Sequence, residues 1–281
     1  TGVQTCALPI FLNIILDPVC IYIFNLGVIG AGISTLIANI IMFILFRIKS
    51  NGILKYKFGI GIDYIKIKEI CILGFPMAFQ RVLFTIINIF LAKIIAIFGS
   101  DAIAAQKVGV QIESIAYMVI GGLNGAVASF TGQNFGAKRF NRIKEGYKSS
   151  LKVGIAYALA MAGIFFIFNR PIIKLFISDE ETIAIAASYL QAVAFSQAFS
   201  AIEMISNGFF TGIGKPNIPA AISIIFTSLR IPFALVLIKP FGINGIWISI
   251  CLSSILKGLS AYLLYKIELR KENFSINYIE S

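Results

Sequence analysis

From Phe11 to Phe46 the chain reads FLNIILDPVCIYIFNLGVIGAGISTLIANIIMFILF, an apolar stretch long enough for two membrane passes and broken by one charge, Asp17. A helix needs about 20 apolar residues to cross a bilayer. A carboxylate in the hydrocarbon layer costs about 2.5 to 3.5 kcal/mol on insertion scales, so such a residue tends to mark an ion or substrate path. Asp17 also precedes Pro18, and a second reading, a cap on a broken helix near the interface, stays open beside the functional one.

The rest of the chain has the same character. Of 281 residues, 58% are hydrophobic and 13% charged, and mean hydropathy is +0.89. Apolar windows recur along nearly the whole length, which excludes an ordinary soluble domain. Runs such as Ile183 to Ile202 have no period of two, unlike the short alternating segments of a transmembrane barrel. The chain reads as an all-α polytopic membrane protein. Its net charge of +11 comes mostly from Lys and Arg in short loops between apolar spans. These form no continuous face, so the expected surroundings are a lipid bilayer and no nucleic acid. Cys6, Cys20, Cys71 and Cys251 are too widely spaced to suggest a metal site or a disulfide framework. With no histidine in the chain, a transported proton is expected on a carboxylate. Residues 1–10, TGVQTCALPI, lack the basic start and cleavage site of a signal peptide. They resemble translated sequencing adapter, in which case the natural amino terminus lies elsewhere.

Breaks at Gly, Pro and charge divide the remainder into eight expected spans, near 11–25, 28–46, 68–97, 102–133, 150–168, 183–211, 217–238 and 243–265. If the loop at 47–67 is cytoplasmic, sixteen basic residues lie on the inner side, from Arg47 through Lys271. Three, Arg170, Lys174 and Lys239, lie outside. The positive-inside rule then places the carboxyl terminus in the cytoplasm. The Ile- and Lys-rich composition fits an AT-rich bacterial genome and hence a bacterial plasma (inner) membrane.

A weak internal repeat relates LDPVCIYIFNLGVIGAG, from Leu16, to RIPFALVLIKPFGINGIW, from Arg230. Pro18 aligns with Pro232, and the pairs Gly27/Gly30 and Gly242/Gly245 follow at nearly the same distance. Both copies run in one membrane direction, as in transporters whose halves are related by an axis along the membrane normal. On this offset four further helices are expected ahead of residue 1, for twelve in all.

Glu113 and Glu203 fall inside expected spans, where they could attract a cationic substrate or carry protons. They could equally be neutralised by the intramembrane cations Arg81 and Arg230. Counted from the turn near residue 99, Arg81 and Glu113 differ in depth by about 6 Å at 1.5 Å per residue, which long side chains can span. Gln80, beside Arg81, belongs to the same candidate path. Lys93 and Lys107 are expected to snorkel outward, without a role. The many Phe and Tyr residues could line a cleft for flat lipophilic cations, but Phe is also an ordinary membrane core residue.

Several motifs together resemble the multidrug and toxic compound extrusion (MATE) family of cation-coupled antiporters. Asn13-x-x-Leu16-Asp17-Pro18, then Gly30-Ala31 and Thr35, resembles that family's fifth and sixth helices, and Leu73-Gly74-Phe75-Pro76 the start of its seventh. Gly109-Val-Gln-Ile-Glu113-Ser114, ending in Gly132-Gln133-Asn134-x-Gly136-Ala137, resembles its eighth. Glu203, Gly212-x-Gly214-x-x-x-x-Pro219 and Leu229-Arg230-Ile231-Pro232 resemble its tenth and eleventh.

The resemblance implies two six-helix lobes around a cleft that opens alternately to either side. Residues 11–48 would be the last two helices of the amino-terminal lobe and 49–66 a cytoplasmic linker. Residues 67–271 would be the carboxy-terminal lobe and 272–281 a cytoplasmic tail. It also implies a cation site using Asn13, Asp17 and Thr35. Asn13 and Asp17, four apart, share a helix face, and a hydroxyl from the next helix would add a third oxygen. Such ligands suit Na+, and a buried carboxylate suits H+, so the coupling ion stays open. The function expected is export of organic cations or lipophilic compounds in exchange for H+ or Na+, by a protein that is monomeric when full length and needs no cofactor. The alternative is a flippase for lipid-linked saccharides, which calls for a cationic cleft. An intramembrane enzyme would need convergent His or Asp clusters, and the sequence has none.

Overall fold

The computed structural model describes residues 11–49 and 63–270, and its chain divides between Asp63 and Tyr64 into two compact units. The first unit is a helical hairpin. Helix α1 (Phe11–Ile23) is an α-helix as far as Pro18 and widens into a π-turn over Val19–Ile23. Pro18 has no N–H and its ring crowds the preceding turn, so the ladder rewinds there. Wider bonds follow, such as Phe24 N–H to the Val19 carbonyl at 3.0 Å. The chain reverses through Asn25 and Gly27, both at positive φ (51° and 53°), into α2 (Gly27–Lys49).

The second unit contains α3 (Tyr64–Ala96), α4 (Ser100–Gly136), α5 (Phe140–Ile167), the short α6 (Asn169–Lys174), α7 (Glu180–Gly212), α8 (Asn217–Ser228), α9 (Arg230–Phe241) and α10 (Ile243–Arg270). With α8 and α9 taken as one pass, six segments of this unit are long and apolar enough to cross a membrane. Helix α2 is a seventh, and α1, at Phe11–Ile23, is shorter. The protein is a multi-pass, all-helical membrane protein, with no strand among the described residues. Residues 1–10, the middle of the expected linker and the expected tail lie outside them.

Three boundaries depart from the expected spans. Helix α5 starts at Phe140 rather than near 150 because its first turns are amphipathic. Ile143 and Tyr147 are buried, while Arg142 and Lys148 are exposed. Helix α6 was not expected at all. The span near 217–238 is interrupted at Leu229, because Pro232 cannot donate to the turn before it.

Helix α7 is the centre of the second unit and packs against α4, α5 and α10. Its buried face carries small residues, among them Ala186, Ala187, Ser200, Ala201 and Gly208. In a bilayer, where lipid is as apolar as leucine, close backbone approach and dispersion hold helices together, and small residues permit both. The hydroxyls of Ser196 and Ser206 donate to their own helix at Val193 O (3.0 Å) and Ile202 O (2.7 Å) and so do not oppose this packing. One apolar cluster surrounds Tyr189 and Trp247, whose rings meet edge to face at 5.0 Å. Another surrounds Tyr147, stacked on Tyr265 at 3.6 Å.

The internal repeat has a structural counterpart in each unit. Gly27 opens α2, and Gly242, at φ 56°, occupies the corresponding turn before α10. Gly30 lies so close to α1 that an added Cβ would be 2.7 Å from the Cys20 carbonyl oxygen, and Gly245 is pressed in the same way on the Leu237 carbonyl. The two hairpins therefore turn by the same device: a glycine at positive φ, then a glycine three residues on where backbone meets backbone.

Candidate functional site

The sequence places two carboxylates inside spans of the second unit, and the fold turns both onto one cavity of about 790 Å³. Helix α4 supplies Glu113 and Tyr117, α7 supplies Tyr189, Ser200 and Glu203, and α9 and α10 supply Arg230 and Lys257. Glu113, Glu203, Arg230 and Lys257 are each only 8% exposed. A charge buried so deeply needs a partner, and each partner decides what that charge can do.

Glu203 is paired with Lys257 across α7 and α10, Oε2 to Nζ at 3.2 Å. Glu113 accepts a hydrogen bond from the Tyr189 hydroxyl at 2.5 Å. The Tyr117 hydroxyl donates to Ser200 Oγ at 3.2 Å. Arg230 donates from Nε to Ser253 Oγ at 3.2 Å and from Nη2 to Ser254 Oγ at 3.4 Å. Ser253 gives its own proton to the Phe226 carbonyl (2.7 Å), which leaves its oxygen free to accept from the guanidinium. Arg230 is the first residue of α9, directly after the interruption at Leu229.

The expected pairing of Glu113 and Glu203 with Arg81 and Arg230 does not form. Arg81 is exposed on α3, Gln80 is half-buried, and neither lines the cavity. Depth along the helix allowed the Arg81 contact, but the azimuth of Arg81 turns it away. Arg230 does face the cavity, yet its bonds go to neutral hydroxyls, and the partner of Glu203 is Lys257. Sequence reasoning passed over Lys257, although a lone lysine well inside the apolar run from Ile243 to Tyr265 was a visible signal. Lys107, expected to snorkel without a role, also lines the cavity.

In the first unit, Asp17 is partly buried, and its carboxylate accepts a hydrogen bond from the hydroxyl of Ser34. Thr35 does not converge on Asp17. It is exposed, and its hydroxyl is returned to the Ala31 carbonyl at 2.9 Å. One residue along a helix is a rotation of about 100°, enough to exchange the two hydroxyls. Asn13, one turn before Asp17, has a buried Oδ1 without a hydrogen-bond partner. That orphan oxygen, the Asp17 carboxylate and the Ser34 hydroxyl are hard donors of the kind that suits Na+ or H+.

Comparison with known proteins agrees with this architecture. The MatE family model matches residues 76–236, more than half of the chain. The probable multidrug resistance protein NorM of Thermotoga maritima is 28% identical over 254 residues, covering 85% of this chain and 53% of the relative. The multidrug export protein MepA of Staphylococcus aureus is 25% identical over 258 residues, 90% of this chain and 57% of the relative. The chain thus spans about half the length of the curated relatives it matches. Among solved structures, the Vibrio cholerae MATE transporter VcmN in its bent form superposes with a TM-score of 0.85 at 24% identity, covering 96% of this chain and 62% of that one. A MOP superfamily transporter from Pyrococcus furiosus gives 0.83 at 21% identity, covering 95% and 62%. The chain belongs to the MatE family, the multidrug and toxic compound extrusion transporters that its motifs resemble.

Proposed function

We propose that this chain works in a secondary exporter of the bacterial plasma membrane, with its carboxyl terminus cytoplasmic, moving organic cations or lipophilic compounds outward in exchange for H+ or Na+. One observation carries the reading: two buried carboxylates, Glu113 and Glu203, line one cavity among largely apolar helices, with Arg230 and Lys257 beside them. The multidrug export names of the NorM and MepA relatives support it.

The coupling ion binds at Asp17, with Asn13 Oδ1 and the Ser34 hydroxyl as further oxygens, and favours one arrangement of the protein over the other. Only such differential binding can couple ion to substrate. A proton gradient of one pH unit supplies about 1.4 kcal/mol, roughly tenfold in substrate concentration. If one H+ exchanges for one monovalent organic cation, no net charge crosses and the membrane potential drops out.

The test is accumulation of a cationic dye in everted membrane vesicles, with the chain expressed in the reading frame that a continuous genomic read gives. An imposed H+ or Na+ gradient should drive uptake, and D17N should abolish it. Uptake indifferent to both gradients would overturn the reading. One observation favours the flippase alternative: Lys107, Arg230 and Lys257 outnumber the two carboxylates of the cavity, as a seat for pyrophosphate would require.

A further inference from the structure

The cavity is lined by Glu113, Glu203, Arg230, Lys257 and Lys107. Lys257 and Glu203 form an ion pair at 3.2 Å, and Glu113 is held by the phenol of Tyr189 at 2.5 Å, a neutral donor that leaves its charge in place. The buried guanidinium of Arg230 is likewise held by neutral groups, the hydroxyls of Ser253 and Ser254. Among the described residues no carboxylate pairs with it. A guanidinium has five N–H donors in a planar fork, and two of these are used here. Hydroxyls orient the fork without cancelling its charge. The same wall carries Lys107, which adds positive potential. A bare lipophilic cation entering this space meets more positive than negative charge. A carboxylate or phosphate meets a fork whose geometry matches it.

We infer that Arg230 is the seat for an anionic group on the substrate, so that among organic cations this cavity prefers those that also carry a carboxylate or phosphate, amphiphilic zwitterions, over simple lipophilic cations. The inference deepens the export reading and rests on it for its purpose. The apolar body of such a ligand lies against Phe84, Leu91 and Met204, and a positive group, where present, faces Glu113. At about 790 Å³ the cavity accommodates a ligand of drug size. The same seat could take a lipid headgroup phosphate, which shares the chemistry.

The test uses the purified chain in a neutral detergent and two dyes on one ring system: a rhodamine with a free carboxylate, which is a zwitterion, and its methyl ester, a cation. Fluorescence anisotropy reads binding of each. The free acid should bind at least about tenfold more tightly than the ester, as one charge-assisted hydrogen-bonded pair allows. R230Q should remove the preference, bringing the free acid down to the affinity of the ester or below, and R230K should keep part of the preference. Equal or tighter binding of the ester, no saturable binding of the free acid, or a preference that survives R230Q would each overturn the seat. The comparison of acid with ester needs no variant, so it stands even if R230Q fails to fold. Benzoate and a short-chain phosphatidylglycerol, used as competitors, tell a free carboxylate from a headgroup. Displacement by either upholds the seat, and failure of both overturns it. Lost acid preference with gradient-driven uptake intact refutes this inference alone, whereas lost uptake with the preference intact refutes the export reading alone.

Discussion

Lys257 Nζ lies 3.2 Å from Glu203 Oε2, an ion pair buried between the last helix and the central helix of the second unit. Removing one member of a buried pair strands the other charge and costs about 3–5 kcal/mol, while replacing both with neutral groups can cost little. K257M and E203Q should therefore each lower the unfolding temperature in detergent, and the double variant should recover much of the loss. Additive losses would show that the two charges do not depend on each other.

Glu113 depends on Tyr189 in a comparable way. Y189F keeps the edge-to-face packing on Trp247 but deletes the hydrogen bond at 2.5 Å. Destabilisation of about 1–3 kcal/mol is expected, because a buried acceptor loses its donor. E113Q/Y189F should be less destabilised than the sum of its parts in the same unfolding assay.

In the first unit, the neighbouring hydroxyls Ser34 and Thr35 separate the two readings of the ion site. S34A should lower gradient-driven dye uptake about tenfold or more, since it removes the donor to Asp17. T35A should leave uptake within about twofold, because its hydroxyl only returns to the Ala31 carbonyl. Equal effects of the two variants would contradict the placement.

Asp179 caps α7, accepting from the Thr182 backbone N–H at 2.7 Å, and this bond holds its carboxyl below the usual value of 3.8. A depressed folded value means that the cap contributes fully above the unfolded value and fades as pH falls through the folded one. The difference in unfolding temperature between wild type and D179A should be steady above about pH 5 and shrink below about pH 4. A difference that grows on acidification would reverse the sign.

Much of this is legible in the sequence, and what is not has one physical cause. Asp17, Glu113 and Glu203 stood out because charge inside an apolar run is rare, and the last two are buried on one cavity. Gly27/Gly30 and Gly242/Gly245 were visible as a repeat because glycine is required where backbones touch. What failed was rotation about the helix axis. Sequence gives depth at 1.5 Å per residue, but the facing of a side chain depends on how its helix is turned by its neighbours. The resemblance named Thr35 where the hydroxyl on Asp17 is that of Ser34, and depth alone allowed a contact of Arg81 with Glu113 that its facing prevents.

The most direct test of ion-coupled export is reciprocal flux, because coupling must run in both directions. Proteoliposomes would be loaded with a monovalent cationic dye at equal pH and equal Na+ on both sides, and internal pH and Na+ recorded as the dye leaves. Dye efflux should draw in about one H+ or Na+ per dye, be insensitive to an imposed membrane potential, and lose the ion movement in D17N. Dye leaving without ion entry, or a one-for-one flux that follows voltage, would contradict the account.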